Sequence, residues 1–263
     1  MKAVDELYKS NYGEKIPYTW HKNFMAHSGK FDHKYFPELL FIPEFERFMN
    51  LWPEYAKAFS DKNITPMLAE KVGIRTPKTY VSITKGMIRD SAYNVLTLDE
   101  AAERISGIGK AFVKPTVDSC SGGNFVDNAH AGGMFIAVDD DGQLHENAMT
   151  EFNIQFAKHP DTGVVYKDVK LDLVPKVIAA AHRMHGATPQ LGVVNWDFTL
   201  DEDGEPVLIE ANTMGGAVWL PQMAHGVGAF GDKTEEVLRW MRFVKKLGVA
   251  ERKKYAFGKM NEK

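Results

Sequence analysis

Two acidic residues, Asp197 and Glu210, flank a turn signal in the second half of the chain. They lie in VVNWDFTLDEDGEPVLIEAN, where Asp203-Gly204 separates two apolar-rich runs, which is a strong signal for a β-hairpin. A two-residue turn places Asp197 directly opposite Glu210, whereas a four-residue loop makes them diagonal neighbours. Asn212 follows on the same face because strand side chains alternate. Both registers therefore bring two carboxylates and one amide to one face of the hairpin.

This face of the hairpin has the chemistry of a magnesium site. Like charges directly opposite one another destabilise a sheet, so we expect a cation between the two carboxylates. Mg²⁺ prefers oxygen ligands and is commonly held by one or two carboxylates together with substrate phosphates. We therefore predict that Asp197, Glu210 and Asn212 are ligands of Mg²⁺. The alternative is a solvated face with two ordinary acids, because charged side chains are mostly exposed.

A second segment with possible chemistry covers residues 113–124, with the sequence VKPTVDSCSGGN. Lys114 lies near the end of a predicted strand, and small, hydroxylated and glycine residues follow it. Backbone N–H groups of such a loop can surround phosphate oxygens while the lysine adds positive charge. The Walker and Rossmann glycine patterns are both missing, so an ordinary turn is the alternative for this loop taken alone. With the acidic hairpin downstream, the loop completes a minimal set of groups for binding MgATP.

The elements around these residues predict an α+β architecture. Antiparallel sheet is favoured because hairpins dominate the second half of the chain, with another expected around Asp141-Gly142. Apolar spacing and terminal signals indicate helices over residues 65–72, 99–106, 173–186 and 233–248, and strands over residues 79–83 and 110–117. We therefore expect an antiparallel sheet with hairpins and flanking helices rather than a doubly wound parallel sheet.

Composition limits the class of protein. The 263 residues carry a net charge of −3, which gives no basis for a nucleic-acid partner. No apolar run is long enough for an integral membrane segment, no signal peptide is apparent, and the single cysteine suits a cytoplasmic location. His21, His27 and His33 do not share a helical face, so we interpret them as structural or surface histidines rather than as a metal site.

Four motifs, in chain order, resemble the ATP-grasp superfamily, most closely its sugar-transfer associated branch, which is related to α-L-glutamate ligases. They are DKN (61–63), VKPTVDSCSGG (113–123), VDNAHAGG (126–133) and WDFTLDEDGEPVLIEAN (196–212). The resemblance extends over most of the chain. It implies α+β domains that hold MgATP between two sheets, and activation of a carboxylate as an acyl phosphate that a nucleophile then attacks.

The resemblance also implies roles for individual residues. Lys62 and Lys114 would contact ATP phosphates, and Asp197, Glu210 and Asn212 would hold Mg²⁺, with Lys114, Asp197 and Glu210 as the catalytic set. The lid-like loop over the phosphates would be formed by Ser119, Ser121, Gly122 and Gly123. The family gives no firm role to Asp127, Asn128 and His130, which are candidates for the substrate side of the site.

Four regions follow from this comparison: an N-terminal helical and aromatic region (1–60), an N-terminal ATP-grasp subdomain (61–123), a C-terminal subdomain with the metal-binding hairpin (124–250) and a tail (251–263). The chain departs from the family in its centre, because Gly123 runs directly into NFVDNAHAGG. Arg183 is the sole arginine between Lys114 and Asp197. The central segment is therefore shortened, which predicts an incomplete ATP-grasp-like fold.

Three functions remain open at this point. The first is an ATP- and Mg²⁺-dependent ligase acting on a small-molecule or glycan-linked carboxylate in cell-surface polysaccharide or glycoconjugate synthesis. The second is an inactive ATP-grasp remnant that binds nucleotide, metal or a protein partner without turnover, which the shortened segment favours. The third is a purely structural protein with solvated acids, which leaves the cross-strand carboxylate pair unexplained. Neither the acceptor nor the oligomeric state can be read from the residues.

Overall fold

The computed structural model describes residues 1–109, 111–116, 129 and 132–255. Helices and short antiparallel sheets alternate along the chain, so the predicted α+β class is confirmed. The α-helices are α1 (Lys2–Asn11), α2 (Thr19–Ser28), α3 (Glu38–Leu40), α4 (Arg47–Met49), α5 (Pro53–Phe59), α6 (Ile64–Lys71), α7 (Leu98–Ser106), α8 (Val174–Gly186), α9 (Trp219–His225), α10 (Thr234–Val244) and α11 (Val249–Arg252). A π-helix (Phe41–Glu46) joins α3 to α4.

The four predicted helices α6, α7, α8 and α10 are confirmed. In α7 the Thr97 hydroxyl accepts from the Glu100 N–H and the Glu100 carboxylate accepts from the Thr97 N–H, which satisfies two otherwise unpaired donors. Helix α10 ends at Val244, before the predicted end at residue 248, and its buried apolar side chains pack against α1 and the π-helix in the largest core cluster. The core therefore joins the N-terminal region to the last long helix.

Three small sheets carry the β-structure of the described residues. Their strands are β1 (Ser82–Thr84), β2 (Met87–Arg89) and β3 (Val95–Leu96) in the first sheet, β4 (Ala148–Met149) and β5 (Gln155–Phe156) in the second, and β6 (Asn195–Leu200) and β7 (Pro206–Asn212) in the third. The strand predicted over 79–83 begins only at Ser82. The strand predicted over 110–117 is wrong for residues 111–116, which do not adopt strand conformation, and Val113 is 99% exposed.

The hairpin β6–β7 forms, but its turn differs from the two-residue turn predicted at Asp203-Gly204. The Gly204 N–H donates to the Asp201 carbonyl, and the Asp201 N–H donates to the Glu205 carbonyl, so three residues form the loop. Gly204 has φ 73°, whereas Asp203 is not among the residues with positive φ. The turn is therefore a type I turn followed by a left-handed glycine, a form in which Asp203 needs no positive φ.

The predicted hairpin around Asp141-Gly142 uses the same turn. The Gly142 N–H donates to the Asp139 carbonyl, the Asp139 N–H donates to the Gln143 carbonyl, and Gly142 has φ 89°. Isolated bridges at Val138–Leu144 and farther along at Phe135–Met149 continue it. We call these two structures the Gly142 hairpin and the Gly204 hairpin.

Both turns pack against one connection, the 170–176 segment, which leads into α8 and includes its first turn. The Leu171 N–H donates to the Gly142 carbonyl at 2.8 Å. A Cβ atom on Gly142 would lie 2.0 Å from the Leu171 carbonyl oxygen, and one on Gly204 would lie 2.7 Å from a methyl group of Leu173. Lys170 pairs with Asp141 at 2.7 Å and Lys176 with Glu205 at 2.5 Å. One short stretch therefore contacts both hairpins.

Across the part of the chain that the structure describes, no helix combines the length and the apolar character that crossing a bilayer requires.

Candidate functional site

The predicted pairing of the two acids is confirmed. Asp197 lies directly opposite Glu210, and Asn195 lies opposite Asn212. Nearer the turn, Phe198 pairs with Leu208, so the register changes by one residue and Ile209 is the extra residue of a β-bulge. Because the bulge absorbs Ile209, Glu210 rather than Ile209 lies opposite Asp197.

The opposite face of this hairpin packs into the protein. Leu208 is buried in a cluster with Met184 of α8 and Ala69 of α6, and Trp196 and Phe198 pack against it. Leu200 continues this face by strand alternation but is 41% exposed near the turn. The buried face fixes the direction of the strands, and strand alternation then turns the carboxylates outward.

Lys62 reaches this outward face from the connection between α5 and α6. Its ammonium nitrogen lies 2.8 Å from a Glu210 carboxylate oxygen, and both side chains are mostly shielded from solvent. Its backbone N–H donates to the Thr116 carbonyl at 3.0 Å, which ties this connection to the segment that carries Lys114. The fold therefore brings together residues that are far apart in the sequence.

Asp197 is the less well compensated of the two acids. The Asn212 amide donates to an Asp197 carboxylate oxygen at 3.0 Å, and no ion pair to Asp197 occurs among the described residues. Its pKa is raised, first by burial among the surrounding atoms and then by the charge of Glu210, while the Asn212 hydrogen bond and the Lys114 charge act in the opposite direction. Asp197 is nonetheless exposed to solvent. Asp197 is thus a carboxylate that is crowded on one side and open on the other, as a cation ligand would be.

Lys114 lies close enough to this group for its charge to act on Asp197. Its side chain is exposed. Lys62, Lys114, Asp197, Glu210 and Asn212 therefore form one cluster. We call it the acid cluster.

Residues that sequence reasoning missed hold the ends of the hairpin. The Asn50 amide donates to the carbonyls of Val193 and Thr213, and its oxygen accepts from the N–H groups of Gly192 and Val193. Asn50 is buried, so these bonds connect the chain entering β6 to the chain leaving β7. Only its position after a helix and before Leu51-Trp52-Pro53 marks it in the sequence, and no chemical motif does.

Glu46 fixes the loop that follows Asn212. Its two carboxylate oxygens accept from the N–H groups of Gly215 and Gly216 at 2.8 and 2.7 Å. Burial raises the pKa of Glu46, and these two hydrogen bonds oppose that effect. Thr213 is held separately, because its hydroxyl donates to the Ala56 carbonyl and bonds to the Ser60 hydroxyl. Helices from the N-terminal region thus position the end of β7.

The lid-like loop predicted at Ser119, Ser121, Gly122 and Gly123 lies outside the described residues. The same holds for the substrate-side candidates Asp127, Asn128 and His130.

The comparison with known families matches the region that contains this hairpin. Residues 119–237 match the family model described as sugar-transfer associated ATP-grasp. Residues 119–237 are therefore similar to this family, and we call them the ATP-grasp region. Neither a curated protein nor a solved structure matches the chain.

The ATP-grasp region includes Asp197, Glu210 and Asn212, together with the predicted lid-like loop. It begins after Lys62 and Lys114 and covers less than half of the chain, so it is shorter than the resemblance read from the sequence. The two lysines join the ATP-grasp residues through the fold, by the Lys62–Glu210 ion pair and the charge of Lys114. The similarity to an ATP-grasp family model suggests nucleotide binding and a ligase-like function.

Proposed function

We propose that the protein is an ATP- and Mg²⁺-dependent ligase that activates a carboxylate as an acyl phosphate. The observation that carries this proposal is the Asp197–Glu210 pair, which lies in the ATP-grasp region with Lys62 2.8 Å from Glu210. The substrate would be a small-molecule or glycan-linked carboxylate, in keeping with the sugar-transfer association of the family. The role of each residue in this proposal follows from charge and donor chemistry.

The residues of the acid cluster suit a hard divalent cation. Two opposed carboxylates and the Asn212 amide provide oxygen ligands, and Asp197 has no ion-pair partner among the described residues. Asp197, Glu210 and Asn212 would hold Mg²⁺, which when bound supplies positive charge beside the phosphates of ATP.

The two lysines would bind and orient the phosphates. Lys62 and Lys114 each carry a positive charge at the edge of the acid cluster, and phosphoryl transfer depends on cations that spread the charge of the transferring group. In this class of reaction an oxygen of the substrate carboxylate attacks the terminal phosphorus of ATP, and ADP leaves. Lys62 would exchange Glu210 for a phosphate oxygen when ATP binds.

A thermal-shift measurement tests nucleotide binding. MgATP at a hundredfold excess over its Kd should stabilise the folded chain by about 2.7 kcal/mol, which is a rise of about 5–10 °C in Tm. Asp197→Asn or Glu210→Gln should abolish the Mg²⁺-dependent shift, whereas Glu202→Gln, an exposed acid in the same turn, should leave it unchanged. Equal shifts in all four proteins would refute the metal assignment.

Lys114 requires a separate test because its predicted partner is phosphate. Lys114→Ala should weaken ATP binding far more than adenosine binding, since adenosine has no phosphate to contact. Equal losses for the two ligands would show that Lys114 does not touch the phosphates.

A second function is favoured by one specific observation. Lys62 and Glu210 already neutralise each other at 2.8 Å, so a chain with a shortened central segment could retain this pair for stability after losing turnover. In that case the protein would bind nucleotide, metal or a partner without catalysis. A mixture of carboxylates with MgATP separates the two functions: release of ADP supports the ligase, and a thermal shift without ADP supports the inactive form.

A further inference from the structure

A second group of metal-ligating side chains lies on the Gly142 hairpin and α9. The potential ligand atoms of Asp139, His145 and His225 all lie within 4.8 Å of one another. A nitrogen of His145 lies 3.0 Å from an Asp139 carboxylate oxygen, and the rings of His145 and His225 are 5.0 Å apart, centroid to centroid. We propose that these three residues form a binding site for a transition-metal ion of the Zn²⁺ type, distinct from the acid cluster.

The hairpin register positions the first two residues. Asp139 pairs with Gln143 and the His145 N–H donates to the Ala137 carbonyl, so Asp139 and His145 occupy the same face, diagonally across the hairpin. The turn at Gly142 fixes this register. The two ligands are therefore set by backbone hydrogen bonds rather than by loop flexibility.

The third residue comes from a separate element. His225 is the last residue of α9, which ends at Gly226 with φ 73°. At the other end of α9, the Trp219 ring contacts the Phe135 ring of the Gly142 hairpin, and Met223 packs with Met149 in a shared core cluster. Core packing thus holds α9 against the hairpin, and this brings His225 to His145.

The donor set selects the class of metal. Two imidazoles and one carboxylate suit Zn²⁺ and similar first-row ions, whereas Mg²⁺ prefers oxygen ligands alone. Three protein ligands leave a coordination position open, as in zinc sites that bind water or a further ligand. Asp139 is exposed and both histidines are half-buried, which leaves a path by which an ion can enter.

Charges of both signs lie near the proposed site. Asp140 adds negative charge near His225, while Lys30 adds positive charge there. The His225 ring nitrogens make no hydrogen bond within the ranges that the structure describes, so a metal would not have to displace a protein partner from this ring. The only hydrogen bond to be rearranged within those ranges is the one between His145 and Asp139.

Equilibrium dialysis against Zn²⁺ tests this site. The full chain, without a histidine tag and stripped with EDTA, is dialysed in excess Mg²⁺, and bound zinc is counted by mass spectrometry. We expect one Zn²⁺ per chain. Loss of a direct ligand in His225→Gln should weaken binding by more than the roughly 10–100-fold that loss of a supporting residue costs.

The matched control is His182→Gln on α8, where His182 is exposed and lies three residues before His185. This variant should keep full zinc affinity. No stoichiometric zinc, unchanged affinity in His225→Gln, or loss of zinc in His182→Gln would each overturn the proposal. Circular dichroism checks folding; if His225→Gln is misfolded, Asp139→Asn at the exposed ligand replaces it, with the same loss expected and unchanged affinity again contrary to the proposal.

Discussion

The Gly142 hairpin and the Gly204 hairpin fold through the same five-residue pattern, in which an aspartate begins a type I turn and a glycine with positive φ ends it. In the Gly204 hairpin the first aspartate, Asp201, accepts from the N–H groups of Asp203 and Glu205 and pairs with Arg75. These contacts, with the Glu205 hydrogen bond first, lower the pKa of Asp201. Asp201 therefore stabilises the turn. The acid cluster lies farther along the strands of the same hairpin.

In the Gly142 hairpin the first aspartate, Asp139, instead bonds to His145. The third aspartate, Asp141, takes the structural role, because it accepts from the Gln143 N–H and pairs with Lys170. The same turn thus fixes the backbone in both places, but among the described residues the carboxylate of its first aspartate makes turn hydrogen bonds only in the Gly204 hairpin. Arg75 pairs with the first aspartate of the Gly204 turn, whereas Lys170 pairs with the third aspartate of the Gly142 turn.

The largest expected effect is the loss of unfolding free energy when a turn glycine is replaced, and this loss should differ between Gly142 and Gly204. Gly142→Ala places a Cβ atom against the Leu171 backbone carbonyl, whereas Gly204→Ala meets only a side-chain methyl group of Leu173. Both positions have positive φ. We expect a loss of more than about 3 kcal/mol of unfolding free energy for Gly142→Ala and about 1–2 kcal/mol for Gly204→Ala. Urea unfolding measures both, and equal losses would contradict the difference in packing.

The Asn50 hydrogen bonds, which we call the Asn50 clamp, hold the ends of the Gly204 hairpin. Asn50→Ala removes the partner of two N–H groups and two carbonyls at the ends of β6 and β7, and should cost about 2–4 kcal/mol. Asn50→Asp keeps the acceptor and should cost less. Zinc binding at the Gly142 hairpin should survive in the folded fraction of both variants. A loss below about 1 kcal/mol in Asn50→Ala would show that the clamp is dispensable.

The two groups of ligands should respond independently to their own substitutions. Asp197→Asn should abolish the MgATP thermal shift and keep one bound Zn²⁺, because Asp139, His145 and His225 are untouched. His225→Gln should keep the MgATP thermal shift and lose the bound Zn²⁺. The measurements are thermal shift and equilibrium dialysis on the same preparations, and a single variant that removes both responses while remaining folded would contradict two separate sites.

The smallest effect concerns the pH dependence of stability. The pKa of Asp197 is raised in the folded chain, so ionising Asp197 costs more in the folded state than in the unfolded state. Relative to Asp197→Asn, the natural chain should lose stability as the pH rises from the unfolded pKa through the raised folded pKa. The variant should therefore be slightly more stable at pH 7, and the difference should disappear below the unfolded pKa. A less stable variant at pH 7 in unfolding measurements would contradict this sign.

Local sequence patterns predicted the elements that depend on nearby residues. The apolar spacing that predicts α7 and α10 depends on residues within single helices, and the structure confirms both helices. The opposition of Asp197 and Glu210 was also predicted, although the turn and the Ile209 bulge were not. One extra residue in the loop and one in the strand compensate each other. Counting residues from the predicted two-residue turn therefore gave the correct Asp197–Glu210 pair, although the actual loop has three residues.

Local sequence patterns could not predict contacts between segments that lie far apart in the chain. The segment over residues 110–117 has the composition of a strand, but residues 111–116 do not adopt strand conformation, and composition alone does not show this. Histidine spacing drew attention to His21, His27 and His33, whereas the proposed zinc ligands combine a hairpin with a helix far along the chain. Neither Asn50 nor His225 stands in a chemical motif, so only the folded arrangement identifies them.

The 170–176 segment has a thermodynamic consequence for these two hairpins. It contacts the Gly142 turn through the Leu171 backbone and the Gly204 turn through the Leu173 side chain. A ligand that shifted this segment at one hairpin would alter affinity at the other, and linkage requires the factor to be the same in both directions. Leu173, which touches one turn through a flexible side chain, is thus the position at which such linkage could be tuned without disturbing the backbone of either hairpin.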